Sequence, residues 1–279
     1  MDSIDRIRQM LLSIQQQLYV IERELEQVKQ PQTIAYDLEL DMVTSAEQPV
    51  TEQGVYEVMG GQETDAFPDC CAVGNDAGYY CSGTLIAPQL VVTAKHCQYV
   101  TRVFLRGKDI TAAEHGETLR VHKEIVHPAL DLKLLLLETP ASVPPRKVVH
   151  SLPPATLKVA TVVGFGRIDA DGLMGYGKKR RVDVPIATID VTSNDALTYG
   201  CLQGWEMVAG HQGLHRDTCK GDSGGPLYIH TGNDAYALLG VTSRGVRNGF
   251  TTCGDGGIYV RLDRCIDWIE QVTGIKLPA

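Results

Sequence analysis

Gly221-Asp222-Ser223-Gly224-Gly225-Pro226-Leu227 decides how the rest of this 279-residue sequence is read. A nucleophilic serine needs its hydroxyl exposed on a tight turn, with backbone N–H groups free to meet a developing oxyanion. Flanking glycines permit both. The same letters satisfy the G-x-S-x-G elbow of α/β-hydrolases, but that elbow leads into a helix, and its acid and histidine follow the serine. Here Pro226-Leu227-Tyr228-Ile229 reads as a strand, and the candidate histidine and aspartate lie upstream. Val91-Val92-Thr93-Ala94-Lys95-His96-Cys97 sets a histidine after an apolar strand. His127-Pro128-Ala129-Leu130-Asp131-Leu132-Lys133-Leu134-Leu135-Leu136 sets an aspartate at the start of another. A buried Asp131 orients His96, and His96 takes the proton of Ser223. Singly, a histidine is more often structural and an aspartate opening a strand is often a turn residue. The three in this order favour the catalytic reading.

Outward from these motifs the chain divides into three segments. Residues 58–279 are β-rich: short apolar runs such as Leu90–Thr93, Val159–Val163 and Pro226–Ile229 recur between Gly, Pro and Asp clusters. Only the end reads as a helix, with Ile266, Trp268, Ile269 and Val272 following Asp263 as N-cap. Residues 31–57 carry six acidic residues and no basic one, and read as a linker. In residues 1–30, Ile4, Ile7, Leu11, Ile14, Leu18, Ile21, Leu25 and Val28 fill every a and d position of four heptads, predicting a coiled-coil α-helix. After the first position, Leu at a with Ile or Val at d favours trimers or tetramers, so a homo-oligomer through residues 4–28 is expected. A helix that packs on its own third segment is the plainer alternative.

Composition excludes several classes. The net charge of −8 argues against a binder that neutralises nucleic-acid phosphates. No run of about 18 apolar residues predicts a membrane span. Met10-Leu11-Leu12 is too short for the core of a secretion signal, so a cytoplasmic chain is expected. No Cys-x-x-Cys pair and no zinc-type His and Cys spacing occurs, so neither a metal nor another cofactor is expected.

Residues 58–279 resemble the trypsin/chymotrypsin family of serine proteases. The resemblance rests on Val58-Met59-Gly60-Gly61, Cys81-Ser82-Gly83-Thr84-Leu85-Ile86, the His96, Asp131 and Ser223 motifs, Gly164-Phe165-Gly166 and Ser243-Arg244-Gly245. It implies an all-β fold of two packed six-stranded antiparallel barrels with a C-terminal helix and the site in the cleft between them. It implies His96 as general base and acid, Asp131 as its orienter, Ser223 as nucleophile, and the N–H groups of Gly221 and Ser223 as the oxyanion hole. Asp217, six residues before Ser223, matches the S1 floor that pairs with a substrate Arg or Lys. Ser243 belongs to the same pocket, and Gly245 and Gly257 match its small wall residues. A buried carboxylate demands a cationic partner, which supplies the physical case for that preference. Arg244 replaces the family's Trp, Lys220 sits at the pocket mouth, and the loop from Gly245 to Cys253 is longer than usual. Both cations imply a preference for acidic substrate residues beside the cleaved bond.

The resemblance also implies disulfides Cys81–Cys97 and Cys219–Cys253, although a cytoplasmic chain tends to keep thiols reduced. It matches no partners for Cys70, Cys71, Cys201 and Cys265. Lys178-Lys179-Arg180-Arg181 reads as a solvated loop. In the family, a new α-amino group at the residue matching Val58 pairs with the one matching Asp222 and orders the site. Here Glu57 precedes that junction, so activation needs a different protease or an ordering partner protein. The arrangement also resembles intracellular trypsin-like proteases of bacterial defence operons, which cleave a partner effector. A non-catalytic protease-like scaffold clustered by the coil is the competing reading.

Overall fold

The computed structural model describes residues 61–112, 116–151, 157–167, 175–232, 235–251 and 253–278. The expected coiled coil, the acidic linker and Val58 lie outside the described residues.

Thirteen strands are formed among the described residues. The first barrel closes from β2 (Cys70–Asn75), β3 (Gly78–Ala87), β4 (Leu90–Thr93), β5 (Arg102–Leu105), β6 (Glu117–Val126) and β7 (Lys133–Leu137), in the order β2-β3-β4-β7-β6-β5. The second is built from β8 (Val159–Gly164), β9 (Arg180–Thr188), β10 (Glu206–Ala209), β11 (Pro226–Gly232), β12 (Ala235–Gly245) and β13 (Gly257–Arg261). Its order is β9-β10-β13-β12-β11-β8, and the β8–β9 pairing closes it. Every pairing within the two barrels is antiparallel, as expected from the sequence. The two-residue β1 (Gln62–Glu63) adds to the rim of the second barrel by pairing with Arg180 and Arg181 of β9.

Period-two alternation explains the leucine run that follows Asp131. Leu132 and Leu134 face the cluster shared by both barrels, with Leu136 packed on it. Leu135 and Leu137 face the interior of the first barrel. Both faces of β7 are therefore buried, so the strand reads as continuous apolar sequence. In β4, Leu90 and Val92 point to the shared cluster, while Val91 points into the first barrel. In β11, Tyr228 enters the shared cluster and Leu227 and Ile229 the second barrel. Burying each such side chain stabilises the fold by about 1.5–3 kcal/mol. A buried polar knot also joins the barrels: Arg146 Nε (3.0 Å) and Tyr228 Oη (2.6 Å) both donate to Asp69 Oδ2.

Three local expectations are corrected. Asp263 does not cap the last helix: its carboxylate takes a fork from Arg261 (3.0 and 2.6 Å) within a 3-10 turn, Leu262–Arg264. The helix Ile266–Thr273 then starts from Cys265 without a side-chain cap. A second helix, Ser193–Tyr199, has no buried residue, hence no apolar stripe to announce it. Its signal is the capping box between Thr192 and Asp195. The basic run is not a solvated loop, because Lys179 and Arg180 are buried and Lys178 pairs with Glu63 at 2.8 Å. Among the described residues no helix is long and apolar enough to cross a membrane.

Candidate active site

His96 follows β4 on a short turn that is fixed from several sides. Cys97 is disulfide-bonded to Cys81 of β3, and the buried Lys133 ammonium donates to the Cys97 carbonyl. Asp131 comes from the turn before β7. That turn is shaped by His127, whose Nδ1 accepts from Ala129 N (3.1 Å) and Leu130 N (2.9 Å). An imidazole that accepts there is neutral. Burial, with Lys95 nearby, pushes its pKa down to about 4. His127 is thus structural.

The turns meet at Asp131. Its Oδ1 accepts the His96 backbone N–H at 3.0 Å, and its Oδ2 lies 2.8 Å from His96 Nδ1. Ser243 Oγ, on β12, donates to the same Oδ2 at 2.7 Å. Burial alone raises the Asp131 pKa, but the His96 ring, Ser243 and the backbone donor outweigh it, and the net shift is downward. Asp131 is therefore a fixed anion behind the imidazole.

Ser223 sits on the turn before β11, and the glycines around it have steric causes. Gly224 has φ +78°, and a Cβ there would lie 2.1 Å from Thr93 Oγ1 and 2.5 Å from the Ser82 carbonyl. Gly221 has φ +101°, and its Cβ would meet Gly166 Cα at 2.9 Å. The turn is pinned by Ser82 N–H to the Ser223 carbonyl (2.8 Å) and by Gly224 N–H to the Thr242 carbonyl (2.8 Å). Cys97 Sγ lies 3.7 Å from the Ser223 carbonyl oxygen, so the serine turn abuts the histidine turn. No hydrogen bond joins Ser223 Oγ to the His96 ring; such contacts commonly tighten only when substrate binds. Among the described residues, the Gly221 and Ser223 N–H groups donate to no protein acceptor, as an oxyanion hole requires.

Asp222, beside Ser223, is buried. Its Oδ1 accepts Gly166 N–H and its Oδ2 accepts Cys219 N–H, both at 2.8 Å. A Cβ on Gly164 or Gly166 would strike this carboxylate at 2.1 or 2.5 Å, which is why Phe165 stands between two glycines. Burial raises the Asp222 pKa to about 6, against the pull of those N–H donors and Arg180.

A cleft beside Ser223 has Asp217 at its base and is also lined by Lys220, Ser243, Arg244 and Gly245. A Cβ on Gly245 would meet nothing within 4 Å. Gly257 does not line the cleft but backs it: a Cβ there would come 2.9 Å from Tyr259 Oη, which itself donates to Asp217 Oδ1 at 2.9 Å. Asp217 is buried, and desolvation pushes its pKa up to about 7. Cys219 and Cys253, which both line the cleft, are bonded to each other. Asp255 holds the long loop by accepting the N–H groups of Gly213, Phe250 and Thr251.

Residues 58–269 match the family model for trypsin. The chain belongs to the trypsin family. Among solved structures it is similar to neuropsin, a serine protease expressed in the limbic system of mouse brain. The TM-score is 0.64 at 24 % identity, over 76 % of this chain and 98 % of that one. Trypsin-family membership supports a serine protease hydrolase acting on protein or peptide substrates.

Two site residues escaped sequence reasoning. Ser82 Oγ donates to the Gly221 carbonyl at 2.9 Å and accepts Phe165 N–H at 3.1 Å, tying the two glycine motifs together. Glu206 meets Arg244: Arg244 donates to both Glu206 oxygens, at 2.7 and 2.8 Å, so its charge is compensated inside the protein. The cluster of potential metal ligands found among the described residues is His96 with Cys81 and Cys97, whose sulfurs are bonded to each other.

Proposed function

We propose that this chain is a serine endopeptidase cleaving after Arg or Lys, with His96, Asp131 and Ser223 as its triad. The observation that carries the proposal is His96 Nδ1 at 2.8 Å from an anionic, Ser243-braced Asp131, on a turn that abuts the turn bearing Ser223. In the family's mechanism His96 takes the Ser223 proton as the hydroxyl attacks the carbonyl, then gives it to the leaving amine. The Gly221 and Ser223 N–H groups receive the oxyanion, and Asp217 receives the substrate cation. A fluorophosphonate probe tests the reading. It is expected to label Ser223, and labelling elsewhere or none in protein that hydrolyses no peptide favours the scaffold reading. The proposed natural substrate is a partner protein presenting an accessible Arg or Lys.

Activation is proposed to follow the family's switch, in which a Val58 α-amino group meets Asp222. That carboxylate is buried with two N–H donors, and a cation beside it would favour its charged form. Glu57 does not suit a pocket floored by Asp217, so the enzyme does not cut itself there. Uncut full-length protein is expected to show kcat/KM about 10²-fold below a chain made to begin at Val58, the ratio for a latent state populated near 99:1. Equal values from intact protein verified by mass spectrometry sink this switch. Assembly through residues 4–28 predicts a trimer or tetramer by light scattering and a monomer when Leu11 and Leu18 are replaced by Asp. A monomeric wild type refutes it.

A further inference from the structure

Arg244 occupies the place next to Ser243 at the end of β12, and the structure uses all four of its terminal N–H groups. Nη1 donates to Glu206 Oε1 at 2.7 Å and to Ser243 Oγ at 3.1 Å. Nη2 donates to Glu206 Oε2 at 2.8 Å and to the Gly200 carbonyl at 2.8 Å. Glu206 is 1 % exposed and is braced by Leu202 N–H at 2.7 Å. A bidentate fork of this kind fixes the guanidinium in one plane.

The consequence falls on Ser243. A hydroxyl has one proton and accepts through its lone pairs. An arginine only donates, so the Ser243 oxygen accepts from Arg244, and its single proton is left for Asp131 Oδ2 at 2.7 Å. A continuous chain thus runs from Glu206 through Arg244, Ser243 and Asp131 to His96. Resting on the triad reading above, we infer that Arg244, clamped by Glu206, is a positioning residue that locks the Ser243 proton onto Asp131 and strengthens that donor.

The inference has a signed consequence. Arg244 contacts the hydroxyl that bonds Asp131, whereas Glu206 is linked to Asp131 only through Arg244. Removing both charges weakens the donor on Asp131, makes the carboxylate more basic and favours protonated His96. Removing only the Glu206 charge leaves the arginine cation less compensated and disfavours protonated His96. The other charged and titratable groups around these residues are the same in both variants. They are Lys95 and Lys133 near His96 and Asp131, Cys201 and Arg247 near the Arg244 fork, and Asp217 and Lys220 in the cleft.

The test is the acidic limb of kcat/KM against pH for a small uncharged ester, which makes no use of Asp217, with the His96 ring titrated by NMR alongside, using the active form of the full chain. The double variant Glu206→Met/Arg244→Met, which leaves no unpaired buried charge, is expected to move the limb upward by about half a unit to one unit. Glu206→Gln is expected to move it downward by a similar amount. Adding Ser243→Ala to Glu206→Gln is expected to abolish most of that difference, measured against Ser243→Ala alone. Should the double variant fail to fold, by circular dichroism, the Glu206→Gln comparison still decides. Limbs that stay at the wild-type position, or that move in the same direction in both variants, overturn the inference. Absence of any Ser223-dependent hydrolysis in the wild type instead overturns the triad reading on which it rests.

Discussion

Replacing Ser223 with Ala is expected to lower kcat by a factor on the order of 10⁶ while leaving the fold intact. The size follows from the triad acting as a unit. Without the hydroxyl, the base at His96 and the anion at Asp131 have nothing to activate, and only the oxyanion donors and substrate binding still accelerate attack by water. The fold survives because the turn is held by backbone bonds, from Ser82 N–H and Gly224 N–H, that do not involve the Ser223 side chain. Stability is expected to change by no more than about 0.5 kcal/mol. Asp131→Ala contrasts with this. It removes the acceptor for the His96 backbone, the His96 ring and Ser243, so it is expected to lower both activity and thermal stability. Steady-state kinetics and thermal unfolding of the two variants separate the roles. Peptidase activity retained by pure Ser223→Ala refutes Ser223 as nucleophile.

The parts of the fold legible in the sequence are those that neighbouring residues dictate. Leu90–Thr93 is a strand with the bounds its composition suggested, and Val159 and Pro226 open strands as expected. The glycines at 164, 166, 221 and 224 stood out because each answers a steric demand that no other residue meets. What stayed hidden depends on partners far apart in the chain. Glu206 and Arg244 are separated by 38 positions, and each alone looks like an ordinary surface charge. Lys179 and Arg180 sit in a basic run whose composition suggests solvent. Yet Lys179 Nζ reaches the Phe67 carbonyl at 3.1 Å, and the Arg180 backbone pairs with Glu63. The helix Ser193–Tyr199 has no fully buried residue and sets only Ala196 and Tyr199 against a cluster, so no clear period betrays it, and its Thr192–Asp195 box was the available cue. Period and turn chemistry are local and can be read; charge burial follows tertiary packing.

Asp217→Ser is expected to erase a preference for Arg and Lys over uncharged isosteres that reaches about 10⁴-fold or more in kcat/KM. A carboxylate at the base of the cleft, 2 % exposed and bonded to Tyr259 Oη, pays fully for desolvation when no cation fills the pocket. Burial accordingly pushes its pKa up to about 7. A cationic ligand needs the ionised form, so binding of a small arylamidine is expected to weaken about tenfold per pH unit below 7 and to level off above it. A neutral ligand of the same shape shows no such slope. The same group also sets the pH dependence of stability. Its folded pKa lies above its unfolded value of about 3.9. Between pH 4 and 7 the folded state therefore binds more protons than the unfolded one, and stability falls as pH rises through that window. At pH 8 the burden of the ionised carboxylate is complete. Asp217→Ser is expected to gain stability relative to wild type progressively from pH 4 to pH 7 and to hold that gain above it, as seen in thermal unfolding. Bound arylamidine is expected to return the wild type toward the variant's stability. A wild type that cuts best after Phe, Leu or Glu, or an arylamidine affinity that does not change between pH 5 and 8, refutes Asp217 as the cation-binding floor of the cleft.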